Sequence, residues 1–328
     1  MARPRVRLVV TADDFGYCPR RDEGIVEAFL AGAVTSVSLL VNGAAAESAA
    51  ELARRHRIPT GLHANLSEGR PVGPARPGAS SLLSPEGFFL GKMGFREAVA
   101  AKDVALSQVR KCGCGRRTPP PQAPPAGCGR SWRPSWVASR SYWAGNPRTW
   151  TGTSMCTCSQ RFGRPPAGVC QVFAEVLQAH GVRFTRLPLE RGLGDCTWLE
   201  APARAFACAV ECDARAAVGP FSRSGLRWTD AFVGLSTCGR HMSAHRVSGA
   251  LARALEGTPT GHSLTAELMA HPGYPSVPPA GGCGEGPDAF SCSWERLHEL
   301  RVLKEPTLQA RLAQDGVQLC ALQDLETG

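Results

Sequence analysis

Residues 11–16, TADDFG, come directly after an apolar run at residues 6–10. The run is typical of a short buried strand, so the adjacent carboxylates of Asp13 and Asp14 stand where that strand ends and the chain turns. In sheets and barrels built from β–α units, ligands and catalytic groups gather at the carboxyl ends of the strands. One carboxylate of such a pair can hold a cation while the other moves a proton, so the pair indicates an active site. The alternative is an ordinary turn in which an aspartate caps the helix that is predicted to begin near Arg20.

Strand and helix patterns alternate through most of the chain. Strands are predicted at residues 6–12, 35–41, 58–66, 182–187, 231–235, 265–269 and 317–322. Helices are predicted at residues 22–31, 44–56, 95–109, 169–179, 203–217, 243–255 and 294–303. This alternation implies a mainly parallel sheet, and the number of units predicts an α/β fold, a deformed (β/α) TIM-like barrel. We expect a single domain over residues 1–328, in which an insert disrupts the region of one strand.

The insert is residues 107–168, whose composition differs from that of both flanks. It contains ten of the 37 basic residues and none of the 28 acidic ones, so it accounts for the net charge of +9. It also contains four of the seven Trp, nine of the 26 Pro and five of the 14 Cys. A segment with many Pro and Gly and few aliphatic side chains cannot bury enough surface to become ordered. We therefore predict that the insert is disordered.

The overall composition predicts a globular protein of the cytoplasm, with the nucleus as an alternative. An apolar fraction of 43% over 328 residues is sufficient for a real core. The first apolar run is too short for a signal peptide, and no later segment approaches the roughly 18 apolar residues of a membrane helix. A reducing compartment implies that most of the cysteines are free thiols.

Two histidines occupy positions like that of the aspartate pair. His63 lies near the end of an apolar strand in GLHANL, residues 61–66, and His271 follows a late strand and opens HPGY, residues 271–274. In a barrel, both side chains would line the same mouth as the carboxylates. Imidazole and carboxylate are ligands of divalent cations, and a histidine outside the coordination sphere can act as a general acid near neutral pH.

Four short motifs together resemble one known family. They are TADDFG at residues 11–16, VNG at 41–43, GLH at 61–63 and HPGY at 271–274. In this combination and order, the chain resembles the YdjC-like carbohydrate deacetylases, the group that includes chitooligosaccharide deacetylase. The resemblance covers about residues 1–106 and 169–325.

The resemblance implies a fold, a reaction and a set of site residues. The family fold is a deformed β/α barrel. Members of the family remove acetyl groups from N-acetylated sugars with a divalent metal, usually Mg²⁺, with Zn²⁺ as the alternative. By this resemblance, Asp13 would be the general base, Asp14 and His63 would bind the metal, and His271 would be a catalytic or substrate-contacting residue. The implied partner is an acetylated oligosaccharide or amino sugar, with neither nucleic acid nor a membrane involved.

One motif of the family is missing, and the insert stands in its place. The family pattern Pro-Thr-His-x-Asp-x-His-x-His-Val-His supplies a further metal-binding histidine, and it should fall between the helices predicted at residues 95–109 and 169–179. The insert contains no histidine. Histidines appear when each new codon is formed from the third base of one codon and the first two bases of the next. In that frame, Trp150 followed by Thr151 must encode Asp, and Met155 followed by Cys156 must encode Val.

With A at the wobble position of Pro147 and C or G at the other free wobble positions, residues 146–159 in the shifted frame read PTHVDGHQHVHVL, which is the missing motif. We therefore hypothesise that residues 111 to about 168 come from a frameshift, a mis-spliced boundary or an error in the gene model. The chain as printed would then lack one metal ligand and have impaired activity. A catalytic metal site ordinarily has three protein ligands.

Other interpretations remain open. The cysteines of the insert could bind zinc, although their Cys-x-Cys spacing is not that of common zinc sites; they are Cys112, Cys114, Cys128, Cys156 and Cys158. The basic, Trp-containing insert could instead bind single-stranded nucleic acid. For the whole chain, the alternative to an enzyme is a catalytically inactive glycan-binding protein.

Overall fold

The computed structural model describes residues 6–71, 80–101, 103, 167–256 and 263–326. The predictions for residues 107–166, including the disorder of the insert and its five cysteines, lie outside the described residues. The strands are β1 (Val6–Phe15), β2 (Ser36–Leu40), β3 (Thr60–His63), β4 (Ala231–Val233), β5 (Leu264–Ala270) and β6 (Val317–Leu319). The helices are α1 (Pro19–Leu30), α2 (Ala46–His56), α3 (Gly91–Ala100), α4 (Ala167–Ala179), α5 (Ala201–Arg223), α6 (Ala244–Leu255), α7 (Glu295–Lys304) and α8 (Pro306–Gln314).

The six strands form one parallel sheet. Their order is β3-β2-β1-β5-β4, and β6 pairs with the first three residues of β1. Every pairing is parallel, as the alternation of strands and helices predicted. The α/β class and the parallel sheet are therefore confirmed. Strands β3 and β4 stand at the two ends of the order in the described part of the chain, so closure of a barrel is not seen there.

β1 is the central strand, and it extends beyond the prediction. It continues through both aspartates to Phe15, because pairing with β2 resumes at Phe15 after an irregularity beyond Ala12. The strand is buried along nearly its whole length, as expected for a continuous apolar run between two parallel neighbours. The helix cap is Cys18, whose sulfur accepts a hydrogen bond from the Arg21 N–H. The alternative in which an aspartate of the pair caps α1 is therefore wrong.

The largest core cluster lies between the sheet and five helices. Apolar faces of α1, α2, α6, α7 and α8 pack on the strands, with contributions from Ile25, Ala49, Leu251, Leu300 and Leu308. A second cluster joins α4 to α5. None of the helices in the described ranges is long and apolar enough to cross a membrane. The nine described cysteines are free thiols, as predicted for most of the 14.

Three element predictions need correction. Residues 182–187, predicted as a strand, carry only isolated bridges, at Phe184 and Thr185. Phe184 pairs with Arg227, and the side chain of Arg186 turns to buried carboxylates. Helix α5 continues to Arg223, past the predicted end at Ala217 and through an internal Pro220. The prediction also missed α8, a short helix that begins with Pro306.

Asp22 of α1 provides a test of this packing through the pH dependence of stability. Its side chain is fully buried; Oδ1 accepts the Gly16 N–H at 2.8 Å, and Oδ2 has no partner among the described residues. Burial raises the pKa of Asp22 from 3.8 to about 8. The folded chain therefore keeps a proton that the unfolded chain loses near pH 4, so this residue's contribution to stability falls as pH rises from about 4 to about 8.

We expect Asp22→Asn, which keeps the acceptor for Gly16, to be increasingly stabilising relative to the wild type as pH rises through that window. Urea unfolding at a series of pH values measures the difference. Asp195→Asn changes an exposed carboxylate and should show no such trend. Parallel pH profiles for the wild type and Asp22→Asn would contradict the prediction.

Candidate active site

The four predicted site residues meet at the carboxyl edge of the sheet. Asp13 and Asp14 lie near the end of β1, His63 is the last residue of β3, and His271 directly follows β5. Asp14 Oδ1 is 3.9 Å from His63 Nδ1, and Asp13 Oδ2 is 4.0 Å from His271 Nε2. The residues thus form a single cluster, the carboxylate–imidazole cluster. Their chemical roles remain predictions.

Asp13 is held by a buried arginine that the sequence analysis did not identify. Arg186 donates from Nη1 to Asp13 Oδ2 at 2.6 Å and from Nη2 to Oδ1 at 3.0 Å, and it also donates to Glu267 Oε1. Asp13, Arg186 and Glu267 are at most 4% exposed. Burial alone would raise the pKa of Asp13, but the Arg186 charge and the nearby imidazoles lower it below the ordinary value. Asp13 is therefore ionised and fixed in orientation before any substrate binds.

Ser38 of β2 links the base candidate to the histidine of β3. Its hydroxyl Oγ lies 2.7 Å from Asp13 Oδ1, to which it donates, and 3.0 Å from His63 Nδ1. Ser38 is fully buried between the two side chains. The hydroxyl lies between the carboxylate and the imidazole, so it couples the orientation of the imidazole to that of the carboxylate.

Asp14 has an unusual backbone conformation and two guanidinium partners. Its φ is +64°, in the left-handed region that a residue with a side chain rarely occupies. Oδ2 accepts from Arg296 at 3.0 Å and from Arg21 at 3.3 Å, while Oδ1 faces His63. Burial opposes ionisation, but the charges of Arg296, His63 and Arg21 keep the pKa of Asp14 well below its usual range. The strained turn thus directs an ionised oxygen towards His63.

His271 is enclosed by groups from three segments. Glu299 of α7 accepts the backbone N–H of His271 and that of Gly239, both at 2.5 Å. The sulfur of Cys238 lies 3.6 Å from His271 Nδ1. Burial and then the Arg296 charge lower the pKa of His271 to about 4, so the imidazole is neutral near pH 7. Burial raises the pKa of Glu299 to about 7, against the pull of its backbone hydrogen bonds.

The sequence analysis missed most of the residues that hold the cluster in place. They are Arg21, Ser38, Arg186, Glu267, Arg296 and Glu299. Two of them left a signal in the sequence: Arg186 and Glu267 are charged residues inside segments predicted as buried strands, where a charge needs a partner. The other four lie in helices or a strand where a polar residue is ordinary.

Two groups in the described residues offer metal ligands. Asp14 and His63 present a carboxylate oxygen and an imidazole nitrogen to each other. A separate group of Cys238, His271 and Glu299 has ligand atoms that all lie within 4.8 Å of one another, so it could hold a metal ion. Both groups are at the same edge of the sheet.

A family model and individual relatives indicate the same family for this chain. The family model described as "YdjC-like protein" matches residues 7–112 and 164–314. The chain is 75% identical over its full length to a human protein called carbohydrate deacetylase, of which the alignment covers 93%. It is 43% identical to the Xenopus laevis protein of that name, over 98% of this chain and 99% of that one.

A solved structure supports the fold alone. An Enterococcus faecalis protein, described as a presumptive cellobiose-phosphate cleavage protein, superimposes with a TM-score of 0.64 at 16% identity. The superposition covers 98% of this chain and 99% of that chain. At this identity the similarity concerns the arrangement of helices and strands.

Proposed function

This chain belongs to the YdjC-like protein family and is a carbohydrate deacetylase, and on that premise we propose that it hydrolyses N-acetyl groups of sugars with a divalent cation held at Asp14 and His63. The observation that carries the proposal is the carboxylate–imidazole cluster, in which two carboxylates and two histidines from three strand ends face one another. The substrate is an acetylated oligosaccharide or amino sugar, and the products are acetate and a free amine. We also propose that the sheet belongs to a deformed β/α barrel in a single domain over residues 1–328.

Asp14 and His63 fit a hard divalent cation. Asp14 Oδ1 and His63 Nδ1 are 3.9 Å apart, longer than the roughly 3 Å between neighbouring ligands of an octahedral Mg²⁺, so the two side chains would move together on binding. Asp14 is ionised. Carboxylate oxygen suits Mg²⁺, and imidazole suits Zn²⁺. When bound, the cation would polarise the acetyl carbonyl and acidify a water molecule. Arg21 and Arg296 also bind Asp14, and their positive charges oppose tight binding of a cation.

Asp13 is the proposed general base. Arg186 and Ser38 fix its carboxylate, so its oxygens can take a proton from the attacking water without reorientation. His271 is the proposed acid that protonates the leaving amine. Because His271 is neutral near pH 7, it must receive a proton during the reaction, and Asp13 Oδ2 is 4.0 Å from Nε2, within reach through one water. The proton that Asp13 takes from the attacking water can thus reach the leaving amine through His271.

The experiment is an assay of acetate release from N-acetylated chitooligosaccharides with added Mg²⁺ or Zn²⁺. Metal-dependent release that EDTA stops supports the proposal. Binding of the sugar without release of acetate, under every metal condition, would instead indicate the inactive glycan-binding protein.

We also propose that residues 111 to about 168 are translated in a frame that differs from that of the rest of the gene. The gap in the family match, residues 113–163, lies inside this segment, which supports the proposal. The missing ligand motif in the shifted frame is the second support. Sequencing the transcript across codons 107–170 is the direct test, and an uninterrupted frame as printed would contradict it.

The chain as printed should bind Mg²⁺ weakly. The proposed site has two ligands among the described residues, and loss of a metal ligand should cost more than the roughly 10- to 100-fold of a lost supporting residue. Calorimetry is expected to give a Kd above the micromolar range. The control is the chain in which residues 111–168 carry the sequence of the alternative frame, which should bind at least about tenfold more tightly. Micromolar binding by the printed chain would contradict this prediction.

Restoration of the alternative frame should raise stability and deacetylase activity together. The shifted sequence ends in a β-branched run with three closely spaced histidines, so one segment would supply both strand and ligand. Thermal unfolding and acetate release, measured on the same two preparations, test the prediction. Restored activity without a higher Tm would separate the ligand from the fold and contradict it.

A further inference from the structure

We propose that Cys238, His271 and Glu299 form an inhibitory metal site that takes a thiophilic divalent cation such as Zn²⁺. This thiol site is distinct from the proposed Asp14–His63 site, although both lie at the same edge of the sheet. The inhibitory part of the inference rests on the proposed role of His271 in deacetylation, whereas the binding part does not.

The three ligand atoms have the separations that a small cation requires. Cys238 Sγ is 3.6 Å and Glu299 Oε1 is 4.0 Å from His271 Nδ1. Two ligands bonded tetrahedrally to one zinc ion, at about 2.3 Å for sulfur and 2.0 Å for nitrogen, lie about 3.5 Å apart. All three atoms lie within 4.8 Å of one another, so small side-chain adjustments bring them onto one ion. Three protein ligands leave a fourth position for water or an anion.

Glu299 holds the two ligand-bearing segments in place before any ion binds. One of its oxygens accepts the N–H of Gly239, the residue next to Cys238, and the other accepts the N–H of His271. Glu299 is fully buried, so these bonds are shielded from water. Each carboxylate oxygen has a second lone pair, so Oε1 can bind a cation and still accept the Gly239 N–H. The two segments would therefore lose little conformational entropy when the ion binds.

The donor set selects for a soft ion. Thiolate and imidazole favour Zn²⁺, whereas Mg²⁺ prefers oxygen ligands. Binding releases the proton of the Cys238 thiol, which becomes a thiolate bonded to the ion, and also the proton of Glu299 wherever that carboxyl group is protonated. No electrons are transferred. Thiolate and carboxylate together neutralise the charge of the ion. The nearby Arg296 donates to Asp14 and to the His271 carbonyl, so its charge already has oxygen partners.

His271 connects the thiol site to the reaction. Its Nδ1 faces Cys238 and Glu299, while its Nε2 faces Asp13. A cation on Nδ1 would place positive charge beside Nε2 and hold the ring rigidly, so Nε2 could no longer accept a proton from Asp13. Filling the thiol site is therefore expected to stop proton delivery to the leaving amine while leaving Asp14 and His63 free.

Cobalt and zinc titrations test the thiol site without any need for activity. One equivalent of Co²⁺ should produce a near-ultraviolet thiolate-to-cobalt charge-transfer band in the wild type. Cys238→Ser should remove the band and weaken Zn²⁺ binding more than about tenfold. The matched control is Cys320→Ser, since Cys320 is a partly buried free thiol beside the other end of β1, and that variant should behave as the wild type. No band in the wild type, or a band that survives in Cys238→Ser, would overturn the site.

Two further measurements complete the test. If Cys238→Ser does not fold, the wild type is alkylated with iodoacetamide instead, and the labelled cysteines are identified by peptide mass spectrometry. Zn²⁺ should protect Cys238 from alkylation and should not protect Cys320. In the acetate assay, Zn²⁺ is added to the Mg²⁺-loaded enzyme, and the rate of each protein is divided by its own rate without Zn²⁺. The factor by which Zn²⁺ lowers this rate should be more than tenfold larger for the wild type than for Cys238→Ser. Equal inhibition would overturn the inhibitory role. Absence of acetate release both in the printed chain and in the chain with the alternative frame restored would contradict the proposed function, and the cobalt result would still decide whether the site exists.

Discussion

Asp13→Asn is expected to lower kcat for deacetylation by about 10²- to 10⁴-fold, the usual contribution of a general base. Asparagine is nearly isosteric and keeps an oxygen that can accept from Ser38, but it cannot take a proton from water. If Asp13 is a base and not a ligand, the Kd for Mg²⁺ should change little. Acetate release and calorimetry on the same preparation, in the printed chain and in the chain with the alternative frame restored, measure the two effects.

Asp14→Asn is the matched variant, because it makes the same chemical change one residue along the strand. It should weaken Mg²⁺ binding by more than about tenfold, since a neutral amide is a poor ligand for a hard cation. Equal losses of metal affinity in the two variants would refute the division of roles between the aspartates. Asp13→Asn also removes a charge that faces Arg186, so a thermal melt must accompany the kinetics.

Arg186→Leu is expected to cost about 3–5 kcal/mol of the free energy of unfolding and to abolish activity. The guanidinium is the shared partner of two buried carboxylates, those of Asp13 and Glu267, both at most 3% exposed. In Arg186→Leu, the carboxylates of Asp13 and Glu267 stay buried but lose the guanidinium that they share, and burial favours their protonated forms. The destabilisation should therefore shrink as pH falls, because protonation removes the two uncompensated charges. Urea unfolding at pH 7 and pH 5 measures both effects.

Two comparisons sharpen the Arg186 test. Arg240→Leu removes an arginine whose ion pair with Glu200 is largely exposed, and it should change stability by about 1 kcal/mol or less. Arg186→Lys keeps the charge but cannot bond both oxygens of Asp13 and Glu267 at once, so it should recover part of the stability and little of the activity. A loss in Arg186→Leu no larger than that in Arg240→Leu would contradict the buried network.

The sequence by itself determined the fold class and the members of the proposed site. Continuous apolar runs identify parallel strands buried on both faces, and a strand's end is a local feature, so polar residues that follow such runs can be placed at one edge of the sheet. Asp13, Asp14, His63 and His271 were found in this way, and they do lie together. The periodicity failed at residues 182–187, where VRFTRL has the alternation of a strand but carries only isolated bridges, at Phe184 and Thr185.

Only the tertiary structure decided how the site is held together. Arg186 is 173 residues from Asp13 in sequence, and Arg296 is 282 residues from Asp14. No local pattern selects such partners, because any of the 37 basic side chains could neutralise a buried carboxylate until packing excludes the others. The same holds for Glu299, whose hydrogen bonds to Gly239 and His271 bring Cys238 beside the imidazole. Strand formation depends on neighbouring residues, whereas the pairing of buried charges depends on which elements the fold places in contact.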